Sequence, residues 1–178
     1  MSLDLTWTLR FRMVRPTELL VTRADLRRWV LAAGLPLSAT PSDRELVDAR
    51  ELREAIARAA VAVIEARPVG AEDRRIINRC AAHPPPTPVL RPGGSQRVEA
   101  PGDGISAALS ATARDAIELL TAQDGRLRRC AGPQCSLLFH DGSRPGSRRW
   151  CATSRCGNKV NTKAYRGRQR DQGPGTEP

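Results

Sequence analysis

Residues 126–170 read RLRRCAGPQCSLLFHDGSRPGSRRWCATSRCGNKVNTKAYRGRQR and contain four of the five cysteines of the 178-residue chain. The cysteines form two pairs with four residues between the members of each pair, and 15 residues separate the pairs. Two close pairs of thiols across a short loop are typical of a closed structural site in which four thiolates surround one zinc ion. We therefore predict one structural Zn²⁺ whose ligands are Cys130, Cys135, Cys151 and Cys156.

The excess positive charge of the chain lies in the same segment. The segment holds 12 Lys+Arg and one acidic residue, Asp141, whereas the whole chain has 29 Lys+Arg, 19 Asp+Glu and a formal net charge of +10. The other residues therefore carry 17 basic and 18 acidic side chains and are close to neutral. A neutral body with a strongly basic end predicts that this end binds a polyanion.

The sequence shows no targeting or membrane signal. Its first residues lack the charged and then apolar pattern of a secretory leader, and no apolar run approaches the ~20 residues that span a bilayer. We expect a cytoplasmic protein without a membrane partner. In a reducing cytoplasm, clustered cysteines favour a bound metal over disulfides.

The fold class expected is α+β and mainly α, with a helical domain at residues 1–123 that includes a small β-hairpin. Capping signals at Thr22 and at Ser42–Glu45 begin two of its helices. Alternating apolar residues from Leu3 to Met13 predict a strand with one buried face, although a short helical start also fits this pattern. Cys80 has no cysteine near it in sequence, and we interpret it as a buried structural thiol. The helix that begins at Thr22 is expected to end at about Ala33, and the one that begins at Ser42 at about Ala66. Two further helices are predicted at Ala71–Ala82 and Gly104–Gln123, and the strands of the hairpin at Thr87–Arg91 and Gln96–Ala100.

Residues 124–170 predict a treble-clef-like zinc finger, followed by a disordered tail at 171–178. Gly and Pro within the first cysteine pair favour a tight turn. Ser136–His140 and Arg148–Trp150 then predict a β-hairpin, and a helix is expected to begin at Asn158. We interpret His140 as a surface side chain, since four thiols already complete the zinc shell. Such a shell leaves no position for water, so we do not expect an enzyme.

The predicted helix of the finger has a basic face. Four of its cations are spaced by four, three and four residues, which places them on one side of a helix. A solvated basic face is the simpler explanation, but crowded like charges favour an anionic partner, and contact with phosphates is expected before any reading of bases. The candidate nucleic-acid-binding residues are Arg144, Arg148, Arg149, Arg155, Asn158, Lys159, Lys163, Arg166 and Arg170.

The cysteine pattern continues as Ser147-Arg-Arg-Trp-Cys151 and ends in Cys156-Gly-Asn158, and it resembles the CGNR zinc-finger proteins. The start of the chain, with Leu3-Asp-Leu5 and Thr22-x-x-Asp25-Leu26, resembles the ABATE domain that precedes this finger in the family. The resemblance extends from about Leu3 to Arg170. It implies a bacterial, stress-induced transcription regulator whose finger binds DNA, with the four cysteines as ligands and with Gly157 and Asn158 shaping the turn into the helix. Two positions differ from the family: Lys159 replaces an arginine and lacks its planar two-pronged donor, and Trp7 replaces an asparagine.

The leading expectation is therefore a DNA-binding transcription regulator. Its N-terminal domain would sense a small-molecule effector or form a homodimer, and its finger would contact DNA. Two alternatives remain open from the sequence, namely a zinc-stapled module that binds an acidic protein and a module that binds RNA. The few aromatic residues of the finger argue mildly against recognition of single strands by base stacking.

Overall fold

The computed structural model of the protein describes residues 1–102 and 104–157. The predicted helix from Asn158 to Arg170 and the predicted tail at 171–178 lie outside these residues. The described residues are mainly helical, with small antiparallel hairpins, and they end in the cysteine cluster of a zinc finger, which confirms the predicted fold class.

The described residues form five α-helices, three two-stranded antiparallel sheets and one short π-helical turn. The pairs of strands are β1 with β2, β3 with β4, and β5 with β6. In chain order the elements are α1 Ser2–Thr6, β1 Leu9–Arg10, β2 Thr17–Glu18, α2 Arg23–Ala32, α3 Asp43–Ile64, α4 Ala71–Ala81, β3 Thr87–Leu90, β4 Gln96–Glu99, α5 Ile105–Thr121, β5 Leu127–Arg129, β6 Leu138–His140 and the π-helical turn Thr153–Gly157.

The predicted N-cap at Thr22 and the predicted capping box at Ser42–Glu45 are both present, and Thr22 also forms a full capping box. The Thr22 hydroxyl accepts a hydrogen bond from the Asp25 amide at the start of α2, and the Asp25 carboxylate accepts one in return from the Thr22 amide. Ser42 and Glu45 make the same reciprocal pair at the start of α3. Each box satisfies amide groups that the first turn of a helix leaves without partners, and so it fixes where the helix begins.

The main core lies where α3 packs against α4, α5 and α1. The sides of α3 and α5 that enter it are rich in alanine, and Ala55, Ala59, Ala108 and Ala113 are fully buried. These short side chains leave room for the larger residues of the neighbouring helices, including the buried Cys80 of α4. The larger buried side chains of this core, on α3 and α5 as well as on their neighbours, include Leu5, Leu26, Leu52, Ile56, Ile77 and Ile105.

The strand predicted from Leu3 to Met13 was wrong. Residues 2–6 form α1, and only Leu9–Arg10 has strand structure. α1 is enclosed by α3, α5 and the zinc finger, so Leu3 and Leu5 are both covered although they point to different neighbours. A short helix that is covered on several sides can therefore show the same alternation of apolar residues as a strand. The last apolar residue of the pattern, Met13, is exposed.

The predicted hairpin of the finger also paired the wrong strands. Ser136–His140 contains β6, but β6 pairs with β5, which precedes the first cysteine pair, and Arg148–Trp150 is not a strand. The reason is the buried carboxylate of Asp141. It accepts hydrogen bonds from the amides of Ser143 and Arg148 and thereby holds the following segment as a loop.

Among the described residues, no helix has both the length and the apolar character needed to cross a bilayer.

Candidate metal centre and the basic surface beside it

The hairpin of β5 and β6 presents the first two cysteines. β5 leads into Cys130, whose amide donates a hydrogen bond to the carbonyl oxygen of Leu137 over 2.9 Å. The chain turns back between these residues, and the Cys135 amide closes a tight turn by donating to the carbonyl oxygen of Gly132 over 2.9 Å. The Gly and Pro residues that predicted this turn therefore lie in it, and both thiols face the same side.

The second pair is brought to the first by backbone contacts. The Ala131 amide donates to the carbonyl oxygen of Arg149 over 2.8 Å, which places the segment before Cys151 beside the turn. The Cys151 amide then donates to the Cys130 sulfur over 3.3 Å. Cys156 follows within the π-helical turn, where its amide donates to the carbonyl oxygen of Ala152 over 3.0 Å.

The four sulfurs form a cluster of the size that zinc requires. All of them lie within 4.8 Å of one another, and the Cys151 sulfur is 3.8 Å from the sulfurs of both Cys135 and Cys156. A tetrahedral zinc site with bonds of about 2.3 Å has sulfur-to-sulfur edges of about 3.8 Å. The donor set and its spacing therefore fit the predicted structural zinc, and Cys130, Cys135, Cys151 and Cys156 would hold it.

The acidities of the cysteines explain why the cluster needs a cation. Burial opposes ionisation of Cys130, but amide donors from Cys151 and Gly132 outweigh it and lower the pKa of this thiol. Burial and the neighbouring sulfurs raise the pKa of Cys151, and they raise the pKa of Cys156 to about 11. Several thiolates cannot share one buried site without a compensating charge, and a divalent ion supplies that charge when it is bound.

Gly132 is the residue that allows the two cysteine pairs to approach each other. A Cβ atom at this position would lie 3.1 Å from the Cβ of Cys135 and 3.2 Å from the sulfur of Cys156. Both contacts are tighter than ordinary van der Waals contacts, and both involve ligand residues. A side chain at position 132 would therefore push the second pair of ligands away from the first.

We expect Gly132→Ala to weaken zinc binding about tenfold, because overpacking a close contact costs on the order of 1–3 kcal/mol. Competition with a chromogenic chelator measures the zinc Kd. Gly142→Ala is the matched control, since a Cβ at Gly142 meets no atom within 4 Å. Equal zinc affinities for the two variants would show that Gly132 does not limit the approach of the cysteine pairs.

Asp141 organises the loop between the cysteine pairs, and the sequence reasoning missed this role. Its side chain is fully buried and accepts hydrogen bonds from the Ser143 hydroxyl over 2.6 Å and from the Arg148 amide over 2.7 Å. The Ser143 contacts and the Arg148 amide, with Arg128 nearby, lower the pKa of Asp141 to about 2. A signal was present in the sequence, because Asp141 is the single acidic residue among residues 126–170.

The finger packs directly on the helical body. Leu127 of β5 and Leu138 of β6 are buried against Ala57 and Ala60 of α3. The indole nitrogen of Trp7 donates a hydrogen bond to the carbonyl oxygen of Leu138 over 2.6 Å. Trp7 therefore helps to fix the finger in place.

The described candidates for nucleic-acid binding differ in what they contact. Arg144 and Arg149 are exposed, and the Arg149 guanidinium lies 5.5 Å from the centre of the Trp150 ring. Arg148 is exposed but committed to the finger itself, because it donates to the carbonyl oxygens of Trp150 and Cys151 and lies over the Phe139 ring. Arg155 lies in the π-helical turn, and the structure does not describe its side chain. The remaining candidates, Asn158, Lys159, Lys163, Arg166 and Arg170, lie outside the described residues.

His140 lies apart from the cysteine cluster. Its Nε2 atom is 2.8 Å from a carboxylate oxygen of Asp124, in the segment that connects α5 to β5. The histidine therefore helps to close the base of the finger hairpin and does not compete with the four thiols.

Comparison with known proteins agrees with this division of the chain into body and finger. Residues 1–123 match the model of the ABATE family, which is described as "Putative stress-induced transcription regulator", and residues 126–169 match the model of the CGNR zinc finger. No curated protein matches the sequence. The ABATE match alone covers well over half of the chain. The chain therefore belongs to the ABATE family, and its last part is a CGNR zinc finger built around one structural zinc ion.

Proposed function

We propose that this protein is a DNA-binding transcription regulator in which the zinc finger contacts the phosphates of duplex DNA. The description of the ABATE family concerns transcription, and the finger carries the whole positive surplus of the chain. Zinc acts here as a structural ion that shapes the basic surface. The proposal includes no catalytic role, since four thiolates leave no open position on the metal for water.

The different pairing of arginines in the body and in the finger is the observation that carries this proposal. Before residue 126 the structure describes the side chains of 16 arginines, and ten of them form ion pairs with carboxylates, for example Arg58 with Asp73 over 2.6 Å. In the finger, Arg128 and Arg129 at the base of the hairpin also pair with carboxylates, but the exposed Arg144 and Arg149 have no acidic partner in the part of the chain that the structure describes. Exposed cations without acidic partners attract phosphates, whereas ion-paired ones are largely neutralised.

The contact between body and finger supports a regulatory role for the body. Leu127 and Leu138 of the finger share a buried cluster with α3, and Trp7 reaches β6. A small-molecule effector or a second copy of the chain that shifted α3 or α1 would therefore also shift the finger. We propose the reducing cytoplasm as the compartment, because thiolate ligands persist there.

We expect the double substitution Arg144→Ala with Arg149→Ala to weaken DNA binding and to flatten its dependence on salt. Two lost phosphate contacts should reduce the slope of log K against log salt concentration by about 1.8. Fluorescence anisotropy with a labelled duplex at several salt concentrations measures this slope.

The matched control is Arg28→Ala with Arg44→Ala, which removes the same charge from two exposed, ion-paired arginines of the body. This control should retain the wild-type slope. If folded, zinc-loaded wild-type protein shows no affinity for duplex DNA at low salt, the proposal is wrong. In that case, tight binding to RNA in the same assay would favour an RNA-binding module, and tight binding to an acidic protein would favour a protein-interaction module.

A further inference from the structure

The loop between β1 and β2, residues 11–16, exposes large apolar side chains. Phe11, Met13 and Val14 are 44%, 82% and 60% exposed, and Met13 is the most exposed large apolar residue among the described residues. Phe11 also has a φ of 53°, in a region that non-glycine residues rarely occupy. Strain and exposed apolar surface in one loop are unfavourable for an isolated protein, and together they indicate a contact surface.

The loop is held against the zinc finger. The Arg12 amide donates a hydrogen bond to the Ser136 hydroxyl over 3.0 Å, and the Arg12 guanidinium pairs with Glu54 of α3. Arg10 and Phe11 line one side of an opening of about 310 Å³ whose other side is the turn at residues 132–135. The loop and the cysteine turn are thus neighbours on the surface, and Arg12 anchors the loop there.

The apolar residues of the loop alternate with cations. Residues 10–15 read RFRMVR and contain no acidic residue. Arg15 is exposed, and the side chains of Arg10 and Arg15 form no hydrogen bond or ion pair within the described part of the chain. The buried Nε atom of Arg10 in particular lacks a partner there.

The combination of charge and apolar surface selects the occupant. A second copy of the chain, docked through the same loop, would bring these arginines against each other, and a neutral apolar partner would leave them without counter-charges. Duplex DNA offers both counter-charges and apolar contact, because its phosphates flank stacked bases between which an apolar side chain can insert. Proteins that bend DNA use side chains such as Phe and Met in this way.

We propose that the 11–16 loop is a second DNA-contacting element of this protein, with Met13 and Val14 wedged against a base step and Arg15 on a flanking phosphate. The inference rests on the proposed DNA-binding function and adds a contact made by the helical body next to the finger. The helical body would then take part directly in positioning the protein on DNA.

The test is the double substitution Met13→Ala with Val14→Ala in the full-length, zinc-loaded protein. Affinity for a duplex should fall about tenfold, since truncating both side chains removes the apolar surface that they bury at the base step, about 1–2 kcal/mol. The salt slope should stay at the wild-type value because no charge is removed, whereas Arg15→Ala should reduce it by about 0.9. A duplex with 2-aminopurine at successive positions should brighten on wild-type binding, as bases unstack, and should not brighten with the double variant.

The matched control is Val47→Ala with Leu90→Ala, which removes two apolar side chains that are 45% and 79% exposed elsewhere on the body. This control should bind like the wild type. Wild-type affinity and 2-aminopurine signal for Met13→Ala with Val14→Ala would overturn the loop inference and leave the proposed function standing. An unchanged DNA affinity with loss of a dimer in analytical ultracentrifugation would overturn it as well and assign the loop to self-association. Absence of DNA binding by the wild type would overturn both proposals.

Discussion

Replacing Cys151 with alanine is expected to reduce zinc content to almost none and to unfold the zinc finger. Cys151 is 5% exposed, and its sulfur lies 3.8 Å from two other ligand sulfurs, so no neighbouring group can replace it. Structural zinc contributes about 10–16 kcal/mol to the folding of small zinc modules, and a finger that loses a ligand loses most of this free energy. Elemental analysis measures the zinc, and hydrogen exchange of residues 126–157 measures the unfolding.

Cys80→Ala is the control for this experiment. Cys80 is also buried, at 7% exposure, but it lies in the helical core, where burial raises the pKa of its thiol. Its replacement should leave zinc content unchanged and lower stability by only about 1 kcal/mol. Full zinc content in the Cys151→Ala protein would contradict the assignment of the four ligands.

Replacing Arg53 with methionine is expected to lower the free energy of unfolding by about 3–5 kcal/mol. Arg53 is 3% exposed in the middle of α3, and it donates to both carboxylate oxygens of Glu18 and to Glu54. Methionine fills similar space but leaves these two half-buried carboxylates without that cation. Arg44→Met on the same helix is the control, since Arg44 is mostly exposed and its ion pair with Asp48 contributes about 1 kcal/mol or less.

The loss of stability in Arg53→Met should depend on pH. Burial raises the pKa of Glu18 and of Glu54, but hydrogen bonds from Arg53 and Arg12 outweigh it and hold both pKa values below the ordinary value of 4.5. The ion pairs therefore stabilise the protein above the glutamate pKa of the unfolded chain, and this stabilisation is lost as the pH falls through the lowered pKa values. The difference between wild type and variant, measured by urea unfolding, should be greatest near neutral pH and should narrow below about pH 4. A difference that stays constant with pH would exclude the paired carboxylates as its cause.

The zinc site could be predicted from the sequence because its geometry is mostly local. Two cysteine pairs with a Gly and Pro turn between Cys130 and Cys135 need little more than a fold-back of the chain to complete a tetrahedron. The helices α2 and α3 were predictable for a similar reason, since each carries its own capping residues.

The elements that could not be predicted depend on contacts between distant segments. α1 is a helix because α3, α5 and β6 cover it from several sides, which its own alternating pattern does not reveal. The pairing of β6 with β5 depends on Asp141, whose buried carboxylate holds the next segment as a loop. Likewise, counting charges in the sequence does not predict that Arg148 donates hydrogen bonds to the carbonyl oxygens of Trp150 and Cys151. A basic residue in sequence is available to a ligand only if the fold leaves it without a partner.

The body and the finger of this protein are physically coupled. Zinc holds the turn at Cys130, the turn supports the hairpin of β5 and β6, and Leu127 and Leu138 of that hairpin pack on α3. Loss of zinc should therefore loosen the surface of the body as well as the finger. The surface that we propose for DNA binding consists of Arg144 and Arg149 beside this hairpin, with the 11–16 loop on the body next to it.

We propose that zinc shapes a basic surface that binds DNA. The most direct test is the affinity of the full-length protein for a labelled duplex over a series of salt concentrations, with zinc bound and after removal of zinc by a chelator. We expect the zinc-loaded protein to bind with an affinity that falls linearly on a log–log plot against salt concentration. This binding should be lost when zinc is removed and should return when zinc is restored. Equal affinity with and without zinc, or no affinity of the zinc-loaded protein at low salt, would contradict it.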